Sequence, residues 1–189
     1  MDPKKVEELH RAHVSRLETD TAQALRQHGY DALVVHSGLP QKRTKADDQF
    51  WPLRATPEFQ RWLPLSETGC ALVVEPGRKP RLLRLAETSF WEAPAPPEMD
   101  YFWGAFDVEE VGSPAKMRDL LPRGRVAFLG DEASIAVTWG IVDNPAGLVS
   151  ALEQLRVHKT PYEEECIAEA NRRAAPGHQE LRRMFASGD

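Results

Sequence analysis

Cysteine is scarce: Cys70 and Cys166 are the only two in 189 residues. Far apart in the chain, they offer neither a disulfide framework nor the paired spacing of a zinc site, and they fit a reducing, cytoplasmic setting. Long apolar runs are also missing. The longest are of the kind Cys70-Ala71-Leu72-Val73-Val74, well short of the ~18 residues that a membrane-spanning helix needs, which excludes a transmembrane role. The opening Met1-Asp2-Pro3-Lys4-Lys5-Val6-Glu7-Glu8 is charged where a secretory leader would be apolar. Basic charge is not in excess either. Twenty-four Lys and Arg face 29 Asp and Glu, a formal net charge of −5, so no global field favours nucleic acid as a partner. There is no Gly-x-Ser-x-Gly turn and no glycine-rich phosphate loop followed by Lys-Ser or Lys-Thr, so neither a serine hydrolase nor a nucleotide site has a motif.

What is present is the composition of one folded domain, 41% hydrophobic and 28% charged. Val6, Leu9, Val14, Leu17 and Leu25 recur at helical spacing over residues 3–28, with Asp2 as N-cap, Pro3 at the first helical position and Gly29 as the stop. A buried-type strand follows at Ala32-Leu33-Val34-Val35 and ends at His36-Ser37-Gly38. Residues 39–65 read as a loop in which Phe50, Trp51, Phe59 and Trp62 cover something. Residues 70–75 and 81–85 predict an antiparallel pair joined by Pro76-Gly77-Arg78-Lys79-Pro80. The prolines of residues 93–98 predict a stiff, polyproline-like surface loop. Beyond it come strands at 106–111 and 125–129 and helices at 114–121, 131–139 and 145–156. This alternation predicts an α/β fold, a mixed β-sheet flanked by helices. Thr160-Pro161-Tyr162-Glu163 forms a capping box that starts a last amphipathic helix, which Pro176 is expected to kink or break.

The candidate chemistry is sparse. His10 and His13 stand at i and i+3, not the i and i+4 of a metal-binding helix, and read as a solvated face. Asp47-Asp48 lacks the further oxygen ligands that a hard cation requires. Ser37-Gly38 reads as a strand-end turn, and both cysteines as small hydrophobes. On the residues alone, no active site is assembled and no metal ligand is assigned.

Three stretches nevertheless carry a resemblance. His10-Arg11-Ala12-His13-Val14 through His36-Ser37-Gly38 is similar to the opening helix and strand of the creatinase, aminopeptidase P and prolidase family. Asp47-Asp48-Gln49-Phe50-Trp51-Pro52-Leu53-Arg54 with Pro57-Glu58-Phe59-Gln60-Arg61-Trp62-Leu63-Pro64 resembles the proline-dipeptidase branch, shared with its organophosphorus acid anhydrolase relatives. Arg156-Val157-His158-Lys159-Thr160-Pro161-Tyr162-Glu163, with Ala170-Asn171 and Gly177-His178, resembles the junction into the catalytic domain.

The resemblance implies a creatinase-type N-terminal domain over residues 1–157. Residues 158–189 would be the junction and the first helix of a pita-bread catalytic domain otherwise missing here. In the family that domain holds two divalent metal ions, commonly manganese, through two Asp, one His and two Glu, and none of those is assigned in this chain. The N-terminal domain would support a homodimer and close over the partner subunit's pocket, where a dipeptide ending in proline is hydrolysed. Asp48 and Trp91 would reach that pocket as charge and aromatic wall, with His36 a further candidate. Alternatively, Asp48 caps a turn and Trp91 fills the core. A different reading of the whole chain is a stand-alone, non-catalytic interaction domain.

Overall fold

The structure, a computed structural model, describes residues 2–46, 48–51, 55–85 and 100–187. Helix α1 (Pro3–His28) begins where Asp2 accepts a hydrogen bond from the Lys4 amide and ends at Gly29, whose left-handed backbone (φ 69°) turns the chain into β1 (Ala32–His36). A short helix α2 (Pro57–Trp62) precedes β2 (Ala71–Val74) and β3 (Arg81–Leu85). After a 3-10 turn at Trp103–Ala105 come β4 (Asp107–Val111), α3 (Pro114–Asp119), β5 (Val126–Leu129), α4 (Ala133–Trp139), β6 (Val142–Asp143), α5 (Ala146–Gln154) and α6 (Pro161–Ser187).

The six strands form one sheet in the order β4-β3-β2-β1-β5-β6. β2 runs antiparallel to β1 and β3, and the other pairings are parallel, so the sheet is mixed. Every residue of β1 is buried. Its side chains alternate between two cores: Leu33 and Val35 join Leu17, Leu25, Phe59 and Leu148 under α1, α2 and α5, while Ala32 and Val34 join Met117, Phe128 and Trp139 under α3 and α4. A strand covered on both faces has no need of polar alternation, which is why it reads as a continuous apolar run.

The structure departs from the sequence reading at three points. The aromatic segment is not all loop: Thr56 and Pro57 start α2, which carries Phe59 and Trp62 into the core, while Phe50 and Trp51 stay exposed beside Lys42 and Arg43. β6 is two residues long and exposed, too short to leave a periodicity. α6 runs through Pro176 without interruption. Ion pairs of Glu169 with Arg172 and Arg173, and of Glu180 with Arg183, flank the proline and each support the helix by a few tenths of a kcal/mol. The proline run at 93–98 lies outside the described residues.

Candidate functional site

Two places gather the polar groups of this domain: the turn after β1, and the seam where α6 leaves the domain. His36 ends β1 with its ring buried between Phe128 and Trp139. Its Nδ1 accepts a hydrogen bond from the Gly38 amide at 3.0 Å, so the neutral ring carries its proton on Nε2. Burial lowers its pKa to about 4. Thr56 fixes the same turn, donating its hydroxyl to the His36 carbonyl at 2.8 Å and its amide to the Ser37 carbonyl at 3.1 Å. The Ser37 hydroxyl accepts from the Cys70 amide at 2.9 Å and is fully buried. That role is structural and leaves no nucleophile. Cys70 itself is buried near Glu67, and its thiol is pushed up to about 12, first by burial and then by that carboxylate. It is the small hydrophobe the sequence implies.

This rigid turn launches the segment that carries Asp48. A bridge between Lys42 and Phe50 closes that segment on itself, and Asp48 sits exposed near its tip. Among the described residues its side chain has no ion pair and no hydrogen bond. Asp47 and Trp91 lie outside the described residues, so of the three candidates only His36 and Asp48 are placed, one buried beneath the turn and the other exposed beyond it.

The seam corrects the reading of the first helix. His10 and His13 are not on a solvated face: they are 1% and 2% exposed. His10 Nε2 donates to the Trp62 carbonyl at 2.9 Å, with its ring among Tyr101, Phe102, Phe106 and Tyr162. His13 Nε2 donates to the Arg61 carbonyl at 2.7 Å, and its Nδ1 accepts from the Thr160 hydroxyl at 2.8 Å. Those two carbonyls close the end of α2, where no residue of the helix can reach them. Thr160 also accepts from the Glu163 amide, and Glu163 Oε2 accepts from the Thr160 amide at 2.8 Å, the capping box expected at the start of α6. The Tyr101 and Tyr162 hydroxyls meet at 2.7 Å.

Burial sets the electrostatics of this seam. It lowers the pKa of His10 to about 4, helped by His13, and it lowers that of His13 against the opposing pull of the Arg61 carbonyl and Glu163. Glu163 is held below the usual carboxylate range by the Thr160 amide, His13 and Arg61, which outweigh its partial burial. Two neutral histidines, a capping carboxylate and a pair of tyrosines thus tie α1, α2 and α6 together. Sequence reasoning missed this although a signal existed: Val6, His10, His13 and Leu17 fall at i, i+4, i+7 and i+11, which puts both histidines on the buried stripe.

Among the described residues, no group of three or more His, Cys, Asp and Glu side chains converges to hold a metal ion. Among the described residues the donor set does not fit a two-metal centre. No helix among them is long and apolar enough to cross a membrane.

The domain described by the sequence model "Xaa-Pro dipeptidase, N-terminal domain" matches residues 8–154. The chain belongs to the Xaa-Pro dipeptidase family. Xaa-Pro dipeptidases similar to it include those of Pseudoalteromonas haloplanktis, 33% identical over 189 residues, and Marinobacter nauticus, 36% identical over 186 residues. The alignments take in 97% and 96% of this chain and 42% of each relative. The Shewanella sp. (strain W3-18-1) enzyme is 35% identical over 184 residues, covering 95% of this chain and 41% of that protein. The chain thus spans less than half the length of the Xaa-Pro dipeptidases it matches, and the part it matches is the N-terminal domain.

Proposed function

We propose that this chain is the supporting half of a proline dipeptidase, a cytoplasmic hydrolase that cleaves dipeptides with proline in second place. In this reading residues 1–157 form the dimerising domain and residues 158–189 lead into a catalytic domain with a pita-bread fold. That domain would hold two divalent metal ions, manganese foremost, on ligands of its own. The observation that carries the reading is the match of residues 8–154 to the N-terminal domain of this one family. Nothing in the charge balance or the described surface calls for a nucleic-acid or membrane partner.

Within the homodimer, Asp48 and Trp91 close the partner subunit's pocket. Asp48 supports this by its position, an exposed carboxylate with no ion pair or hydrogen bond among the described residues, suited to the ammonium of a dipeptide. Trp91 is the matching aromatic wall for a proline ring. His36 serves indirectly, holding the turn from which the Asp48 segment departs.

The coding sequence beyond Asp189 and the activity of the purified chain test this together. The reading frame is expected to continue into a segment with two Asp, one His and two Glu as metal ligands, and the 189-residue chain alone to hydrolyse no Xaa-Pro dipeptide in excess manganese. An immediate stop codon would make the chain a stand-alone interaction domain, and turnover by the chain itself would place the chemistry in these residues.

A further inference from the structure

A cavity of about 220 Å³ lies at the carboxyl edge of the sheet, beneath α3 and α4. His36 and Leu85, which line it, are the last residues of β1 and β3. Those strands point the same way, with antiparallel β2 between them. The cavity therefore sits at the edge where open α/β sheets take their ligands. Leu39, Met117, Ile135 and Trp139 complete its apolar walls, and among the described residues no charged side chain lines it.

His36 brings one buried polar atom to this apolar space. The residue is 2% exposed, and its ring is held between Phe128 and Trp139. Its Nδ1 is occupied by the Gly38 amide at 3.0 Å, which leaves Nε2–H as a donor without an acceptor among the described residues. Burial lowers the pKa to about 4, so the imidazole is uncharged at neutral pH. The hydroxyls of Ser134 and Thr138 stand at the exposed rim, where Thr138 donates to the Ser134 carbonyl at 2.8 Å.

A buried donor without an acceptor is costly and rare. Water is a poor remedy, because a buried water is held by about three polar partners and the lining side chains supply one away from the rim. An organic acceptor needs only that one. A dry apolar cavity of about 150 Å³ admits benzene, so the volume here suits a six-membered ring with a small substituent.

We propose that this cavity binds a compact, uncharged apolar molecule with a single hydrogen-bond acceptor, to which His36 Nε2–H donates while the walls enclose the rest. A carboxylate or a zwitterion is refused, because a charge would be desolvated there with no counter-charge. Asp48 takes no part, and the site stands without the dipeptidase reading.

The test is a titration of the isotope-labelled 189-residue chain with cyclohexanone, following His36 Nε2 and the backbone amides of Ile135 and Thr138 by NMR. Saturable shifts are expected. Methylenecyclohexane, the same shape without the acceptor, should bind about tenfold more weakly, and cyclohexanecarboxylate should give no shifts at neutral pH. Thr138→Trp, an exposed position lining the cavity, should abolish binding while the amide signals of β2 stay in place. His36→Phe should bring the two neutral probes to equal affinity. Should that variant loosen the turn, the two probes on the unaltered chain decide the matter. The proposal is overturned if cyclohexanone gives no saturable shifts, if methylenecyclohexane or cyclohexanecarboxylate binds as tightly, or if Thr138→Trp leaves binding unchanged.

Discussion

His13 and Thr160, 147 positions apart in the chain, share a hydrogen bond of 2.8 Å that joins the first helix to the last. The ring nitrogen accepts there because its other nitrogen must donate to the Arg61 carbonyl. The contact therefore exists in this form only while His13 is neutral.

Acid should loosen this domain. His10 and His36 have folded pKa values of about 4 against an ordinary 6.5, and His13 is shifted the same way. A histidine lowered on folding binds more protons when unfolded, so its contribution is intact above pH 6.5 and is lost as pH falls toward 4. Glu163, also lowered, adds to the loss below about 4.5. Urea unfolding should show a midpoint that declines across this window, by a few kcal/mol in total stability. Ring NMR signals of His10 and His36 titrating near 6.5 in the folded chain would refute the assignment.

Thr160→Ala removes both the cap of α6 and the donor to His13. A cost of about 1–2 kcal/mol is expected. It should appear as faster amide hydrogen exchange at Glu163 and Glu164, while amides of β1 exchange as before. Thr160→Ser should restore most of the protection.

Gly124 stands at φ 101°, and a methyl group there would overlap the Asp31 carboxylate that accepts the Arg125 amide at 2.7 Å. Gly124→Ala should cost about 1–3 kcal/mol through backbone strain and the displaced carboxylate. Gly77→Ala meets a positive φ but open space, so thermal unfolding should rank it the milder of the two.

Native Cys70 should resist alkylation at mildly alkaline pH, being buried with its thiol pushed up to about 12. Cys166 is raised too, by burial first, yet is only partly covered on α6 and should be modified first. Mass spectrometry after timed iodoacetamide exposure separates the two, and unfolding should equalise them.

Periodicity and capping chemistry determined much by themselves. The span of α1 with Asp2 and Gly29 at its ends, the buried run of β1, the antiparallel β2–β3 pair and the Thr160–Glu163 box are all local patterns, set by neighbours within a few residues. The proline-dipeptidase likeness was legible for the same reason, in contiguous stretches such as Pro57-Glu58-Phe59-Gln60-Arg61-Trp62. Tertiary structure decided what depends on distant partners. His10 and His13 became buried linkers because the end of α2 and the start of α6 converge on them, and Ser37 became a brace for Cys70. Arg61, on α2, was drawn to the Leu155 carbonyl after α5 and to Glu163 at the start of α6. A side chain's type tells which bonds it can make; only the fold brings up the atoms that make them.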